Sequence, residues 1–230
     1  MLNLAVIAAG EGSRLKSEGI GVSKPLVKVG GVSLLERIIN AAIKNGCETV
    51  NCIINENSDD LKKFLTENNF GVSVNLIVKT TESSLHSLYE LSKITDSPFL
   101  LTTADSVFNE NEFSEFVNFA DKSEADAVFA VTGYVDDEKP LYVDVDRNGI
   151  VKGFYDDNRG FGFVSGGMYF FKRSIKKEAE EAVASGISRM RNFQRFLIEK
   201  GFKIEAFVFS KIIDVDHTAD IKMAEEFLNN

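Results

Sequence analysis

The chain has 230 residues and a formal net charge of -9, enough for one large domain or two small ones with a well-buried core. The acidic balance argues against a broad nucleic-acid surface, and charge or glycine breaks every long apolar stretch before it could span a bilayer. Cys47 and Cys52, with two histidines, are too few for a disulfide framework or a convincing zinc site, so both thiols are expected to pack as small apolar groups.

The opening "MLNLAVIAAGEGSRL" has a short apolar run and no basic segment before it. It reads as a strand rather than a signal peptide, which places the chain in the cytoplasm. In chain order, "LAVIAA" (4–9) is a buried strand and "SLLERIINAAIKNG" (33–46) a helix, with Ser33 as N-cap and Glu36 completing a capping box. A strand is expected over 49–55, a helix over 58–69, a strand over 72–78, a helix over 83–93 and a strand over 98–104. This alternation predicts a doubly wound α/β fold, Rossmann-like, with a mostly parallel sheet covered on both faces. Beyond about residue 125, "ADAVFAVTGYV", "LYVDVD", "GIVKGFY" and "FVSGGMYFF" read as antiparallel strands added to that sheet. Helices over 174–185 and 188–200, a strand "KIEAFVF" and a last helix over 218–229 close the pattern. No linker or repeat interrupts it. The expectation is one domain over 1–230, with a nucleotide-sized half (1–125) and an acceptor-shaping half (126–230).

The segment "AAGEGSRLKSEGIGVSKP" (8–25) follows the first strand and gathers four glycines with Arg14, Lys16 and Lys24. In a doubly wound sheet such a loop lies at the ligand edge. It is neither a dinucleotide fingerprint, since Leu15 occupies the third glycine position, nor a P-loop. As a bare glycine pattern the signal is weak, and a ligand-free surface turn is the alternative reading.

The longer string "LAVIAAGEGSRL…SKPLVKVGGVSLLERII" resembles the nucleotidyltransferase signature of the sugar-nucleotide pyrophosphorylases: A-A-G-x-G-[ST]-R-[LM], a lysine before P-L, then G-x-[PS]-[LM]-[LI]. "SSLHSLYEL", "FLLTTADSVF", "FVSGGMYFF" and "IIDVDHTADIKMAEEF" follow in the order that family has its base-contacting, metal-binding, sugar-side and carboxyl-terminal segments. Through "KPLVKVGG", "HSLYEL" and "DVD" the chain looks most like cytidylyltransferases acting on inositol-1-phosphate or phosphocholine.

The resemblance implies attack by a phosphate monoester on the α-phosphorus of a nucleoside triphosphate, with pyrophosphate leaving. Ala8, Ala9, Gly10, Glu11, Gly12, Ser13, Arg14, Lys24, Ser83 and Ser84 would bind the nucleotide, with Arg14 forked onto phosphate oxygens and Lys24 serving the α-phosphate. Mg2+ is the implied cofactor, with Asp105, Asp214 and Asp216 as candidate ligands. Asp105 could instead cap the helix at "NENEFSEFVNFA", although Asn109 is better placed, and Asp216 or Thr218 could cap the last helix. His217 replaces the family's usual threonine. Gly166 and Gly167, and Tyr155 in the loop "YDDNRGFGF", are candidate acceptor contacts, and Tyr155, Phe161 and Phe163 would box the ammonium if the acceptor were phosphocholine. His86, Lys79, Lys152, Asp144 and Asp146 read as structural or solvated. The expected partners are a nucleoside triphosphate and a small phosphorylated acceptor, with no nucleic acid and no membrane; the oligomeric state stays open. Two alternatives remain: a molybdopterin nucleotidyltransferase, and a module that binds nucleotide without turnover.

Overall fold

The computed structural model describes residues 2–135 and 138–229. The chain runs β1 (Leu2–Ala8), α1 (Ser13–Ser17), a 3-10 turn (Lys24–Leu26), β2 (Lys28–Val29), β3 (Val32–Ser33), α2 (Leu34–Lys44), β4 (Cys47–Ile54), α3 (Asp59–Glu67), β5 (Ser73–Val78), α4 (Ser84–Ser92), β6 (Phe99–Thr103), β7 (Ser106–Phe108) and α5 (Glu110–Lys122). It continues through β8 (Ala127–Thr132), β9 (Tyr142–Val145), β10 (Val151–Tyr155), β11 (Phe163–Phe171), α6 (Lys176–Ala184), α7 (Met190–Glu199), β12 (Ile204–Phe209), β13 (Ile212–Asp214) and α8 (Thr218–Leu228). The expected elements form within a few residues of their expected bounds. Helix α1, the β2–β3 hairpin and the β7–β13 ribbon are additions to the expected pattern.

One nine-stranded sheet takes strands from both halves of the chain. β5, β4, β1 and β6 lie side by side and parallel. The next strand, β11, is antiparallel to β6; β8 is antiparallel to β11, and β12 is parallel to β8. The antiparallel pair β9–β10 extends the amino-terminal end of β11. The sheet is therefore mostly parallel and mixed, as the change of texture after residue 125 predicts.

Alternation along β1 divides the core between the two faces. Leu4, Val6 and Ala8 join Ile38 of α2, Leu61 of α3 and Phe113 and Phe116 of α5 in one cluster. Ala5 and Ile7 join Leu88 of α4, Ala179 of α6 and Phe193 of α7 in another. Both cysteines are buried, as expected. A third, smaller cluster holds Leu15, Val29, Val107, Ile213, Val215 and Ala224, and so fastens α1, the ribbon and α8 to one another.

Ser33 caps α2 by accepting from the Glu36 amide at 3.3 Å, but the reciprocal half of the expected box, from the Glu36 side chain, does not form. Gly12 and Gly167 sit at φ 60° and 73°, the left-handed region that favours glycine. A Cβ on Gly12 would also come within 2.9 Å of Lys24 Cβ. Among the described residues, no helix is long and apolar enough to cross a membrane.

Candidate active site

Strand order fixes where ligands can enter. The chain builds β1, β4 and β5 outward in one direction and places β6 on the other side of β1, so the crevice of the switch point lies between the carboxyl ends of β1 and β6. A cleft of about 1010 Å³, open mouth included, lies there. Its walls include Ala8, Ala9, Gly10, Glu11, Lys24, Ser83, Ser84 and Asp105. It is also lined by Asn55, Thr80 and Thr81, which the sequence motifs do not single out. Ser83 and Ser84 also anchor the start of α7, where their hydroxyls accept from the amides of Arg189 and Met190 at 3.1 and 3.0 Å.

Gly12, Ser13 and Arg14 form the start of α1, which has no side-chain cap. Its first amides therefore lack intrahelical partners. Arg14 reaches across to the other end of the chain: its Nη1 donates to Asp216 Oδ2 at 2.7 Å and its Nη2 lies 3.5 Å from Glu138 Oε2. Lys24 Nζ donates both to Asp105 Oδ2 at 2.7 Å and to Asp216 Oδ1 at 2.5 Å. Asp214 Oδ1 accepts from the Ser106 hydroxyl at 2.8 Å.

The ribbon brings these carboxylates together. β13 pairs antiparallel with β7 so that Asp214 faces Ser106, and the Val215 amide donates to the Asp105 carbonyl at 3.0 Å. Val215 turns into the third cluster, which leaves Asp214 and Asp216 toward the site. Asp105 does not cap α5; Asn109 does, accepting from the Asn111 and Glu112 amides. Asp216 does not cap α8 either. Asp220 Oδ2 accepts from the amides of Asp216 and His217, and Glu18 Oε2 accepts from the amide of Thr218.

Burial alone would lower the pKa of Lys24, but the charges and hydrogen bonds of Asp105 and Asp216 outweigh it and raise it. Burial pushes Asp105 up, and Lys24 reverses this and holds its carboxyl below the usual aspartate range. Asp214 is exposed on the wall of a cleft, at the end of a strand whose other two residues are buried. Desolvation and then the charge of Asp105 push its carboxyl up to about 7. Glu18 goes the other way, down to about 2, chiefly through its hydrogen bond to His217.

A second cleft of about 690 Å³ opens on the far side of this cluster. Arg14, Thr132, Tyr134, Glu138, Ser165, Gly166, Asp214, Asp216, His217 and Asp220 line it. Gly166 is there for close packing as well: a Cβ would run into the Ile212 side chain and approach the Ala130 carbonyl at 3.3 Å. Gly167 lies at the register shift between β11 and β8, nearer Thr103 and Ser106. Tyr155 lines neither cleft. Its ring stacks on Phe161 with centroids 4.9 Å apart, and the Arg159 guanidinium lies 4.4 Å from its centroid. Tyr155 and Phe161 thus face each other and the Arg159 guanidinium, rather than a shared opening.

The nucleotidyl transferase family pattern matches residues 4–228. The chain belongs to that family. Among curated proteins, the bifunctional IPC transferase and DIPP synthase of Archaeoglobus fulgidus is 23% identical over 99% of this chain and 44% of its own length. The catalytic subunit beta of mannose-1-phosphate guanylyltransferase of Drosophila melanogaster is 23% identical over 76% of this chain and 49% of its own. The chain thus spans about half the length, or less, of the curated relatives it matches. Among solved structures, the inositol-1-phosphate CTP transferase from T. maritima superposes with a TM-score of 0.81 at 19% identity, covering 97% of this chain and 93% of its own. CTP:phosphocholine cytidylyltransferase from Streptococcus pneumoniae superposes at 0.78 with 18% identity over 99% of each chain. These superpositions show that the fold is shared over nearly the whole chain.

Several residues lining the second cleft carry no motif. Thr132, Tyr134, Glu138, Ser165 and Asp220 come from strand ends, a loop and a helix start with no shared pattern. Glu18 looks in sequence like one more charge in a glycine loop. Only His217 carries a signal, as a departure from the family's threonine.

Proposed function

We propose that the chain is a magnesium-dependent nucleotidyltransferase that moves a nucleoside monophosphate from a triphosphate to a phosphorylated sugar, polyol or amino-alcohol and releases pyrophosphate. One observation carries this reading: Lys24 joins Asp105 of the first cleft to Asp216 of the second. The reacting atoms of two bound phosphate compounds would meet at that seam. A phosphate-monoester oxygen bonds to the α-phosphorus as the bond to the bridging oxygen breaks, and pyrophosphate carries the electron pair away.

Both reactants are anions, so the site must suppress their repulsion and hold them in line. The uncapped amides of α1 and the fork of Arg14 suit the outer phosphates. Lys24 exchanges its carboxylate partners for the α-phosphate, where charge builds in the transition state. The first cleft, with Ser83 and Ser84 on its wall, takes the nucleoside. The second takes the acceptor, against Gly166 and the hydroxyls of Thr132 and Ser165.

The donor set suits Mg2+. Asp105 and Asp216 converge on one cation-sized position, now filled by the Lys24 ammonium, and both offer hard oxygen atoms. Among the described residues no group of three or more His, Cys, Asp or Glu is arranged to hold a metal ion, so an ion here would need phosphate and water as well as one or two carboxylates. Asp105 and Asp216 would hold it, with Asp214 beside them, and when bound it would neutralise charge on the phosphates. We further place the reaction in the cytoplasm.

Pyrophosphate release from each common triphosphate, against a panel of sugar, polyol and amino-alcohol phosphates, tests the reading. Release with one acceptor class is expected. No release with any pair would favour a module that binds nucleotide without turnover.

A further inference from the structure

The transfer chemistry above does not use His217, yet His217 is tied to the glycine loop. Its Nδ1 lies 2.6 Å from Glu18 Oε1, and the Thr218 amide donates to Glu18 Oε2 at 2.7 Å. Glu18 is the C-cap of α1, and its own amide donates to the Arg14 carbonyl at 3.1 Å. At the far side of the tie, His217 directly follows Asp216. One carboxylate therefore links the backbone that carries Arg14 to the backbone that carries Asp216, whose side chains meet at 2.7 Å.

The rest of the loop is held elsewhere. The Ser23 amide and hydroxyl donate to Asp60 at the start of α3, at 2.7 and 2.5 Å. Gly19 and Gly21 lie between Glu18 and Ser23, and a Cβ on either would meet nothing. This stretch has little to transmit position by packing. Besides the packing of Leu15 and Ile20 and the side-chain pair Arg14–Asp216, which a bound triphosphate would open, the Glu18 tie is what the described residues show setting α1 against the start of α8.

We propose that Glu18 is a positioning residue for nucleotidyl transfer: its two hydrogen bonds make α1 and the segment 214–218 move as one body, so a triphosphate bound at the loop is registered at Asp216. The inference rests on the reaction proposed above. A carboxylate that only caps α8 would add stability without passing the loop's ligand state to residues 214–222. His217 in place of threonine extends the tie, because its ring nitrogen reaches the second oxygen of Glu18.

Hydrogen exchange on the full chain, with and without the triphosphate that supports turnover, reads this coupling directly. In the wild type, nucleotide is expected to slow exchange both at residues 10–24 and at 214–222. In Glu18→Ala the loop still responds and 214–222 does not. Turnover falls on the order of tenfold to a hundredfold, the scale of a small misplacement of reacting groups, while the triphosphate KM changes less than kcat. Glu18→Gln keeps an oxygen for the Thr218 amide and a nitrogen for His217, and is expected to restore both readouts. His217→Ala, which removes one bond of two, falls in between and keeps the test alive if Glu18→Ala does not fold. Glu18→Ala with nucleotide-dependent protection at 214–222 intact, or with kcat unchanged well below its melting temperature, would overturn the proposal. If nucleotide protects nothing in the wild type, the nucleotidyl-transfer reading fails first and takes this inference with it.

Discussion

The two clefts that meet at Lys24 and Asp216 are built in different ways. The first is walled by residues that all lie between Ile7 and Asp105, many of them strand ends, small residues and hydroxyls. The second gathers Arg14 from the first loop, Thr132 from β8, Ser165 from β11, Asp214 from β13 and Asp220 from α8. Walls of backbone and small side chains suit what every nucleotide shares. Walls of separate side chains can be changed one at a time without disturbing the sheet. On the proposed reading, the first cleft fixes the chemistry and the second fixes the acceptor.

Substitution at the seam should do the most damage. Lys24→Ala is expected to lower kcat on the order of a hundredfold or more, since a lost contact to developing charge costs about 3 kcal/mol. The triphosphate KM should rise much less, and steady-state kinetics with either substrate varied separate the two effects. A pure KM effect would make Lys24 a binding group only. Arg14→Lys is the next step down. The guanidinium reaches Asp216 and Glu138 from two separate nitrogens of one rigid plane, a geometry the single nitrogen of an ammonium does not reproduce, so a loss of roughly tenfold in kcat/KM is expected. Full activity in that variant would remove the fork from the account.

The first cleft is also the more legible from sequence. Its loop is a continuous string, and Asp105 ends an apolar strand, so position along the chain implies position in the fold. The second cleft depends on the three-residue strands β7 and β13, too short for any periodicity to reveal, and these set Asp214 beside Ser106. The tie between Glu18 and His217 joins residues 199 apart and leaves no local pattern. Tyr155 shows the opposite failure: aromatic and glycine content suggests a ligand loop, whereas the stacking of Tyr155 on Phe161 turns those rings to each other.

A smaller effect sharpens the carboxylate side of the seam. Burial and then the charge of Asp105 push the Asp214 carboxyl up to about 7 in the folded chain, against about 3.9 for an unfolded aspartate. Between those values the folded state holds the extra proton, so stability declines as pH rises through that window. Without magnesium, the melting temperature should fall from pH 5 to pH 8. Asp214→Asn should flatten part of that slope. Some decline should remain, because His217 is raised by its bond to Glu18 and loses its contribution as pH rises through its folded pKa. An unchanged slope in Asp214→Asn would show that this carboxyl is not the one holding the proton.

The smallest expected effect lies outside both clefts. Tyr155→Ala should leave kcat/KM for the acceptor within about twofold, the scale of about 0.5 kcal/mol. A larger loss would bring the 155–163 loop back over the acceptor.

Asp105→Asn probes the seam most directly, assayed for pyrophosphate release across a magnesium titration and followed in parallel by circular dichroism and thermal melting. Asparagine keeps the shape of the side chain and removes the charge that faces Lys24. The expected result is a folded protein with a nearly unchanged melting temperature and turnover lost at every magnesium concentration. Wild-type turnover in a folded Asp105→Asn protein would contradict a reaction centred on this carboxylate.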